Sequence, residues 1–135
     1  MEFLLLAVII FIALLFVFIN GFHDTANVVA TTIATRSLSP YQAITLAAVF
    51  NFIGAFFGTG VAATISQGLL DANIVTHMVL ISALLAAIIW NLITWMFGIP
   101  SSSSHALIGA LAGAGIATGG VHAVNYTTLV DKVIL

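Results

Sequence analysis

Hydrophobic residues fill three long stretches of the chain, and each is long enough to cross a membrane as a helix. The first is Phe3–Ile19, which continues past a polar interruption to Thr35; the second is Tyr41–Ile65 and the third is His77–Phe97. The hydrocarbon core of a bilayer is spanned by about 20 helical residues. The pattern therefore predicts an all-α membrane protein with three transmembrane helices.

The polar interruption is the segment NGFHDTAN, residues 20–27. A straight helix from Phe3 to Thr35 would be about 50 Å long, whereas the hydrocarbon core is about 30 Å thick. We therefore expect the first helix to break at this segment. An ionised carboxylate inside hydrocarbon costs about 2.5–3.5 kcal/mol, so Asp24 should face the interior of the bundle or a water-filled cavity. In the alternative, Asp24 caps the N-terminus of a helix that begins near Thr25.

A fourth apolar stretch, Ala106–Thr118, is about thirteen residues long, which is too short to span the bilayer and is typical of a re-entrant half-helix. The segment GIPSSSS, residues 98–104, precedes it, and its serines should open the new helix. A helix N-terminus offers unpaired N–H groups and a partial positive charge, and serine hydroxyls add further donors. This arrangement predicts an anion-binding cradle without Lys or Arg. The alternative is a serine-rich turn with one N-cap serine.

Two glycine pairs have the small-xxx-small spacing that lets helices approach closely in lipid. They are Gly54 with Gly58 and Gly109 with Gly113. We interpret both pairs as sites of ordinary helix packing that carry no information about a substrate.

Two asparagines and two tryptophans lie inside or near the ends of the apolar stretches. Asn91 is predicted to hydrogen-bond a neighbouring helix, and Asn51 has the same option. Trp90 and Trp95 lie near one end of the third stretch, as expected of an aromatic belt at the membrane interface.

The composition supports a membrane protein and excludes several other classes. Hydrophobic residues make up 62% of the chain and charged residues 4%, with a mean hydropathy of +1.28, whereas soluble domains carry roughly a quarter charged residues. The net charge of −2 gives no reason to expect a nucleic-acid partner. Cysteine is absent, so the chain has neither disulfides nor thiol metal sites, and we predict no cofactor.

The two ends of the chain suggest a retained first helix and a longer protein. Residues before the first apolar stretch include Glu2 and no Lys or Arg, so a signal peptide is not indicated. Arg36 is the one basic residue before Lys132, which favours a cytoplasmic 36–40 loop and an external N-terminus. The final residues, LVDKVIL, resemble the first turn of another helix, and we expect residues 1–135 to be a single transmembrane domain of a longer protein.

Two segments together resemble a known family. NGFHDTANVVATTIATRSLSP (20–40) and WNLITWMFGIPSSSSHALIGALAG (90–113) are similar to the two signature regions in the N-terminal half of the inorganic phosphate transporter family. The similarity is greatest to the bacterial low-affinity, Pit-type members, and it extends through essentially all of the chain. Two long motifs in the family's order and spacing are far more specific than either motif alone.

The resemblance implies a multi-pass protein of the cell inner (plasma) membrane, built from two inverted repeats that each contain a re-entrant helical hairpin. It implies uptake of inorganic phosphate coupled to a cation, and no enzymatic activity. The missing C-terminal half, or a second copy of the chain, would be a partner, together with membrane lipid. The phosphate-binding residues that the resemblance carries over are Asp24, Asn27, Ser101, Ser102, Ser103 and Ser104.

The coupling cation is the point at which this sequence departs from part of the family. Sodium-coupled members typically carry a glutamate where this chain has Asn51, which favours a proton or a neutral metal–phosphate complex over sodium. Phosphate would repel a bare carboxylate, so we expect Asp24 to be protonated or to hold a cation that bridges to phosphate. Histidine changes charge near physiological pH, so His23 and His105 are further candidates for cation coupling.

Three alternatives remain open at this point. A cradle of hydroxyl and N–H donors also suits sulfate or another oxyanion, and the composition alone is compatible with a passive anion channel. A membrane serine hydrolase is disfavoured because Ser104 and His105 are adjacent, and adjacent residues on a helix do not face each other.

Overall fold

The computed structural model describes residues 2–57, 68–71 and 73–130, and most of these residues lie in α-helices. The helices are α1 (Glu2–Ala34), α2 (Pro40–Ala55), α3 (His77–Met96), α4 (Ser103–Gly119) and α5 (Tyr126–Leu129). A short 3₁₀ helix, Val121–Ala123, precedes α5. Within these described segments the sole β-type pairing is an isolated bridge between Leu70 and Val124. The predicted all-α fold class is confirmed.

The prediction that the first helix breaks was wrong, because α1 is one continuous helix of 33 residues. The NGFHDTAN segment contains no proline, so every backbone N–H in it can donate to a carbonyl one turn earlier. Asp24 therefore lies within the helix, and its alternative role as an N-cap is also wrong. At 1.5 Å per residue, α1 is about 50 Å long and exceeds the thickness of a bilayer core.

A Schellman motif ends α1, and a capping box starts α2. Ser37 N–H donates to Thr32 O at 3.1 Å and Arg36 N–H to Ile33 O at 3.0 Å, with Arg36 in the left-handed region at a φ of 59°. Ser39 then accepts from the backbone N–H of Gln42, whose side chain accepts from the Ser39 N–H. These caps fix the tight turn that brings α2 back against α1.

The helix α2 is shorter than the second apolar stretch. It ends at Ala55, where Phe56 and Phe57 donate to Ile53 O and Gly54 O in a closing turn. The predicted continuation to Ile65 fails at this turn, and residues 58–67, which include Gly58, lie outside the described part of the chain.

The third apolar stretch was predicted correctly, since α3 ends one residue before the predicted end. Its N-cap is Thr76, whose side chain accepts from Val79 N–H. Among the described residues, α1 and α3 are the two helices long and apolar enough to cross a membrane by length and composition.

Helices α3 and α4 form the most extensive helix pair, and α1 packs on α3. The predicted opening of α4 by the serine run is confirmed, because Ser102 is its N-cap and accepts from His105 N–H. The helix begins three residues earlier than the apolar stretch Ala106–Thr118 and spans about 25 Å. That this α3–α4 hairpin re-enters the membrane stays a prediction.

Close packing occurs at a different glycine pair from the one predicted. A Cβ added to Gly109 or Gly113 would meet no described atom within 4 Å, whereas one added to Gly115 or Gly119 would collide with a side chain. At Gly119 the Cβ would lie 3.0 Å from the Cβ of Ala123. The pair Gly115 and Gly119 therefore lets the loop before α3 lie against the end of α4.

Candidate functional site

The polar residues of NGFHDTAN lie along one face of α1. Asn20, His23, Asp24 and Asn27 are spaced i, i+3, i+4 and i+7, which is the spacing of one face of an α-helix. His23 is buried, Asn20 and Asp24 are partly buried, and Asn27 is exposed. Because the helix is unbroken, this face presents all four side chains in a fixed register.

His23 links α1 to α3 through both of its ring nitrogens. Its Nδ1 lies 3.4 Å from Asp24 Oδ1, and its Nε2 lies 3.4 Å from the hydroxyl of Thr94. With the carboxylate accepting, Nδ1 is the donor, and Nε2 faces the hydroxyl. Next to this contact, Phe22 packs edge-on against Trp95 with ring centroids 5.4 Å apart. The imidazole is therefore held between the carboxylate and α3.

Ser103 brings the serine run to the carboxylate. Its hydroxyl donates to Asp24 Oδ1 at 3.5 Å, and Ser103 is itself 3% exposed. The Asp24 side chain is 48% exposed, so it is open to a ligand on the side away from Ser103. The two motifs therefore meet at one carboxylate with a histidine and a hydroxyl beside it. That Asp24 and Ser103 bind phosphate stays a prediction.

The other serines of the run point to a second surface. Ser102 Oγ lies 2.8 Å from His105 Nδ1, and Ser101 Oγ accepts from the Trp90 indole N–H at 3.2 Å. These four residues line one end of a groove of about 450 Å³ between α3 and α4, and the rest of its lining consists of Ala86, Ala106, Gly109 and Ala110. The structure thus divides the serine run between the Asp24 side and this groove.

Four predicted site residues have no side-chain hydrogen bond to another predicted site residue. Asn27, Asn51 and Ser104 are exposed, and their side chains have no hydrogen bond to another described residue, while Ser101 bonds to Trp90. Asn51 lies on α2, which packs against α1. In the part of the chain that the structure describes, no group of three His, Cys, Asp or Glu side chains is suited to hold a metal ion.

Sequence reasoning missed Thr94 and the contacts of Trp90. Thr94 is 2% exposed, and its hydroxyl also lies 3.0 Å from Trp90 O and 3.1 Å from Asn91 O. A threonine one turn after a buried asparagine was the available signal, because both residues share a helix face. For Trp90, a position at the membrane interface remains a prediction, and its bond to Ser101 is an additional finding.

The prediction that Asn91 hydrogen-bonds a neighbouring helix was wrong. Asn91 is 0% exposed, and neither its Oδ1 nor its Nδ2 has a hydrogen-bond partner among the described residues. The packing of the described helices encloses the amide without placing one of their polar groups within hydrogen-bond distance.

The sequence profile of the Phosphate transporter family matches residues 20–135. No solved structure matches the chain.

Several curated relatives align with the chain over most or all of its length. A protein of Mycobacterium bovis named a probable low-affinity inorganic phosphate transporter is 52% identical over 135 residues, which is 100% of this chain and 32% of that protein. One of the same name from Bacillus subtilis is 56% identical over 93% of this chain and 39% of its own length. The low-affinity inorganic phosphate transporter PitA of Escherichia coli is 47% identical over 84% of this chain and 24% of its own length.

The chain therefore spans about a third of the length of the first of these relatives. The relatives are named as transporters, which agrees with the prediction that the chain is not an enzyme. The family profile covers far more than half of the chain, including both polar motifs. The chain belongs to the phosphate transporter family, whose members are membrane proteins.

Proposed function

We propose that the protein containing this chain moves inorganic phosphate across the cell inner membrane and couples that movement to a cation. The observation that carries this proposal is the contact between Ser103 and Asp24, because it joins the two signature motifs at one partly open carboxylate. The names of the relatives, which are inorganic phosphate transporters, support the same substrate.

The phosphate side of the proposed site is the start of α4. The first backbone N–H groups of a helix attract an anion, and serine hydroxyls can donate beside them. Ser103 faces Asp24 at this helix start, whereas Ser101 and Ser102 line the groove beside it. Ser104 is exposed on the first turn of α4, and Asn27 lies one turn beyond Asp24 on α1. A neutral set of donors binds phosphate without retaining it as tightly as a lysine or arginine cluster would, which suits a carrier that must release its substrate.

The cation side is Asp24. A carboxylate next to phosphate raises the energy of the bound anion unless a positive charge lies between them, so phosphate binds together with a proton or a metal cation. His23 contacts the same carboxylate at 3.4 Å and is placed to share a proton with it. His105 lies beside Ser102 and is a second candidate for carrying a proton. Because Asn51 offers no carboxylate, a proton or a neutral metal–phosphate complex is favoured over sodium as the coupling cation.

The proposed architecture is one of two inverted repeats, with the α3–α4 hairpin re-entering the membrane. The short connection between α3 and α4, and the apolar 17-residue length of α4, support such a hairpin. The rest of the protein, or a second copy, would supply the other repeat, with lipid around both.

The test is uptake of labelled phosphate by the full-length protein in proteoliposomes, with Asp24→Asn as the variant. We expect the variant to insert and fold but to lose gradient-driven uptake, because the amide neither binds a cation strongly nor exchanges a proton. Thr118→Ala, which removes an exposed hydroxyl at the far end of α4, is the control and should transport normally. Normal gradient-driven uptake by Asp24→Asn would refute the proposed role of the carboxylate.

The same vesicles separate the alternatives. Imposed proton and sodium gradients identify the coupling cation. Uptake that responds to neither gradient and does not saturate with phosphate concentration would indicate a passive channel. Excess sulfate should leave phosphate uptake nearly unchanged; strong competition would indicate a general oxyanion permease of the same fold.

A further inference from the structure

Helices α1 and α3 carry buried polar atoms that have no hydrogen-bond partner among the described residues. Asn91 is 0% exposed, and its Oδ1 and Nδ2 both lack hydrogen-bond partners among the described residues. The Oδ1 of Asn20 is also buried and also has no hydrogen-bond partner among the described residues. Buried polar groups in native proteins nearly always have a partner, which is protein or bound water.

The register of the two helices places these asparagines at the same level. Asn20 lies three residues before His23, and Asn91 lies three residues before Thr94, the residue that His23 contacts. Buried and partly buried residues line both helices on the N-terminal side of this contact, Ile19 and Phe16 in α1 and Ala87 and Ala83 in α3, and α1 also buries Val29 beyond it. Because α3 ends two residues after Thr94, its extent alongside α1 lies on that N-terminal side. We infer that the two helices run in the same direction and that Asn20 lies near Asn91.

The unpartnered atoms have a particular composition, namely two acceptors and one donor. The acceptors are the Oδ1 atoms of Asn20 and Asn91, and the donor is the Nδ2 of Asn91. A cation would satisfy the acceptors and be repelled by the N–H group, whereas an anion would satisfy the donor alone. Exchanging the amide O and N of Asn91 leaves one donor and one acceptor on that residue, so either orientation of the amide presents the same unpartnered groups.

We propose that Asn20 and Asn91 hold one internal water molecule between α1 and α3. Water donates two hydrogen bonds and accepts others, and buried waters typically make about three hydrogen bonds to otherwise unsatisfied groups. The site lies one helical turn from His23 and is separate from the Asp24–Ser103 contact, so it stands whether or not phosphate is the substrate. The water completes a polar seam of Asn20, His23, Asn91 and Thr94 across an otherwise apolar helix pair.

The first test uses the sign of a stability change in the full-length protein. Asn91→Leu replaces the amide with an apolar group of similar branching. If a water bridges the asparagines, the variant leaves Asn20 Oδ1 unpaired and lowers the midpoint of unfolding in detergent. If the amide is dry and unpaired, its removal relieves a buried polar group and raises the midpoint, which would overturn the proposal.

A double-mutant cycle guards against a simple effect of side-chain size. Asn20→Leu and Asn91→Leu should each lower the midpoint of unfolding. The double variant should lower it by less than the sum of the two single decreases, because the site is then uniformly apolar. Additive losses would contradict a shared water. If the leucine variants do not fold, a high-resolution experimental map of the wild-type transporter decides: solvent density between the two amides supports the site, and a direct amide–amide bond or a coordinated ion there refutes it.

Discussion

Ser103 and Asp24 are 79 positions apart in the chain, yet the serine hydroxyl donates to the aspartate carboxylate at 3.5 Å. The contact is long for an O–H···O bond, so it leaves the carboxylate able to exchange this donor for another group. Ser103 lies at the start of α4 and Asp24 lies within α1, so this pair is a direct contact between the two polar motifs of the chain.

Removing the hydroxyl at this point should weaken phosphate transport without unfolding the protein. Ser103→Ala removes a hydroxyl that we propose donates to bound phosphate, and we expect the KM for phosphate uptake to rise by about tenfold, equivalent to the loss of about 1.4 kcal/mol. The measurement is initial-rate uptake in proteoliposomes. Thr118→Ala is the matched control on the same helix, since its hydroxyl donates to Ala114 O within its own helix. An unchanged KM for Ser103→Ala would place the anion-binding donors elsewhere.

The contact between His23 and Thr94 should contribute to the stability of the α1–α3 pair. Thr94→Val keeps the shape of the side chain and removes the hydroxyl from His23 Nε2, so we expect a loss of about 0.5–1.5 kcal/mol in the free energy of unfolding. Denaturation of the purified full-length protein in detergent measures this loss. A double-mutant cycle with His23→Leu should show coupling between the two sites, and fully independent effects would contradict the contact.

The N-cap of α4 can be separated from anion binding. Ser102→Ala removes the cap and should cost about 1 kcal/mol of stability, whereas Ser102→Asn retains a capping acceptor and should cost much less. If the Ser102 hydroxyl also binds phosphate, both variants should show a higher KM for uptake. Equal stability of the two variants in a thermal-unfolding assay would show that capping by Ser102 is unimportant.

The two glycine pairs of α4 should respond oppositely to alanine. Gly119→Ala puts a Cβ 3.0 Å from Ala123 Cβ and against Ile74, so we expect destabilisation of about 1–3 kcal/mol. Gly113→Ala meets open space and should be neutral or stabilising by up to about 1 kcal/mol, because alanine has the higher helix propensity. Comparable losses in both variants would mean that another part of the protein packs on Gly113.

The sequence predicts the helices well where one physical term dominates. Apolar length alone located α3, and the serine run with its helix-breaking neighbours located the start of α4. The predicted break in α1 was wrong because the polar residues of NGFHDTAN were taken to indicate an interruption of the helical backbone. Polar residues at helical spacing can keep the helix and change only what its face contacts.

The sequence suggested candidate residues for the site but not which of them contact each other. The motifs identified Asp24 and Ser103, but their contact depends on how three helices pack, which local sequence does not contain. Thr94 and the unpaired amide of Asn91 were missed for the same reason. Whether a buried asparagine finds a partner is decided by the neighbouring helix, and the sequence pattern of α3 alone cannot reveal it.

The continuity of α1 also determines how the site can move. An unbroken rod has no hinge at Asp24, so a displacement there cannot be absorbed locally and must appear as a tilt of the whole helix. From Asp24 to Glu2 the lever arm is about 33 Å. A tilt of about 10° about Asp24 would therefore move the N-terminal end of α1 by roughly 6 Å. A ligand that tilts α1 by binding at the Asp24 carboxylate would move that distant end as well.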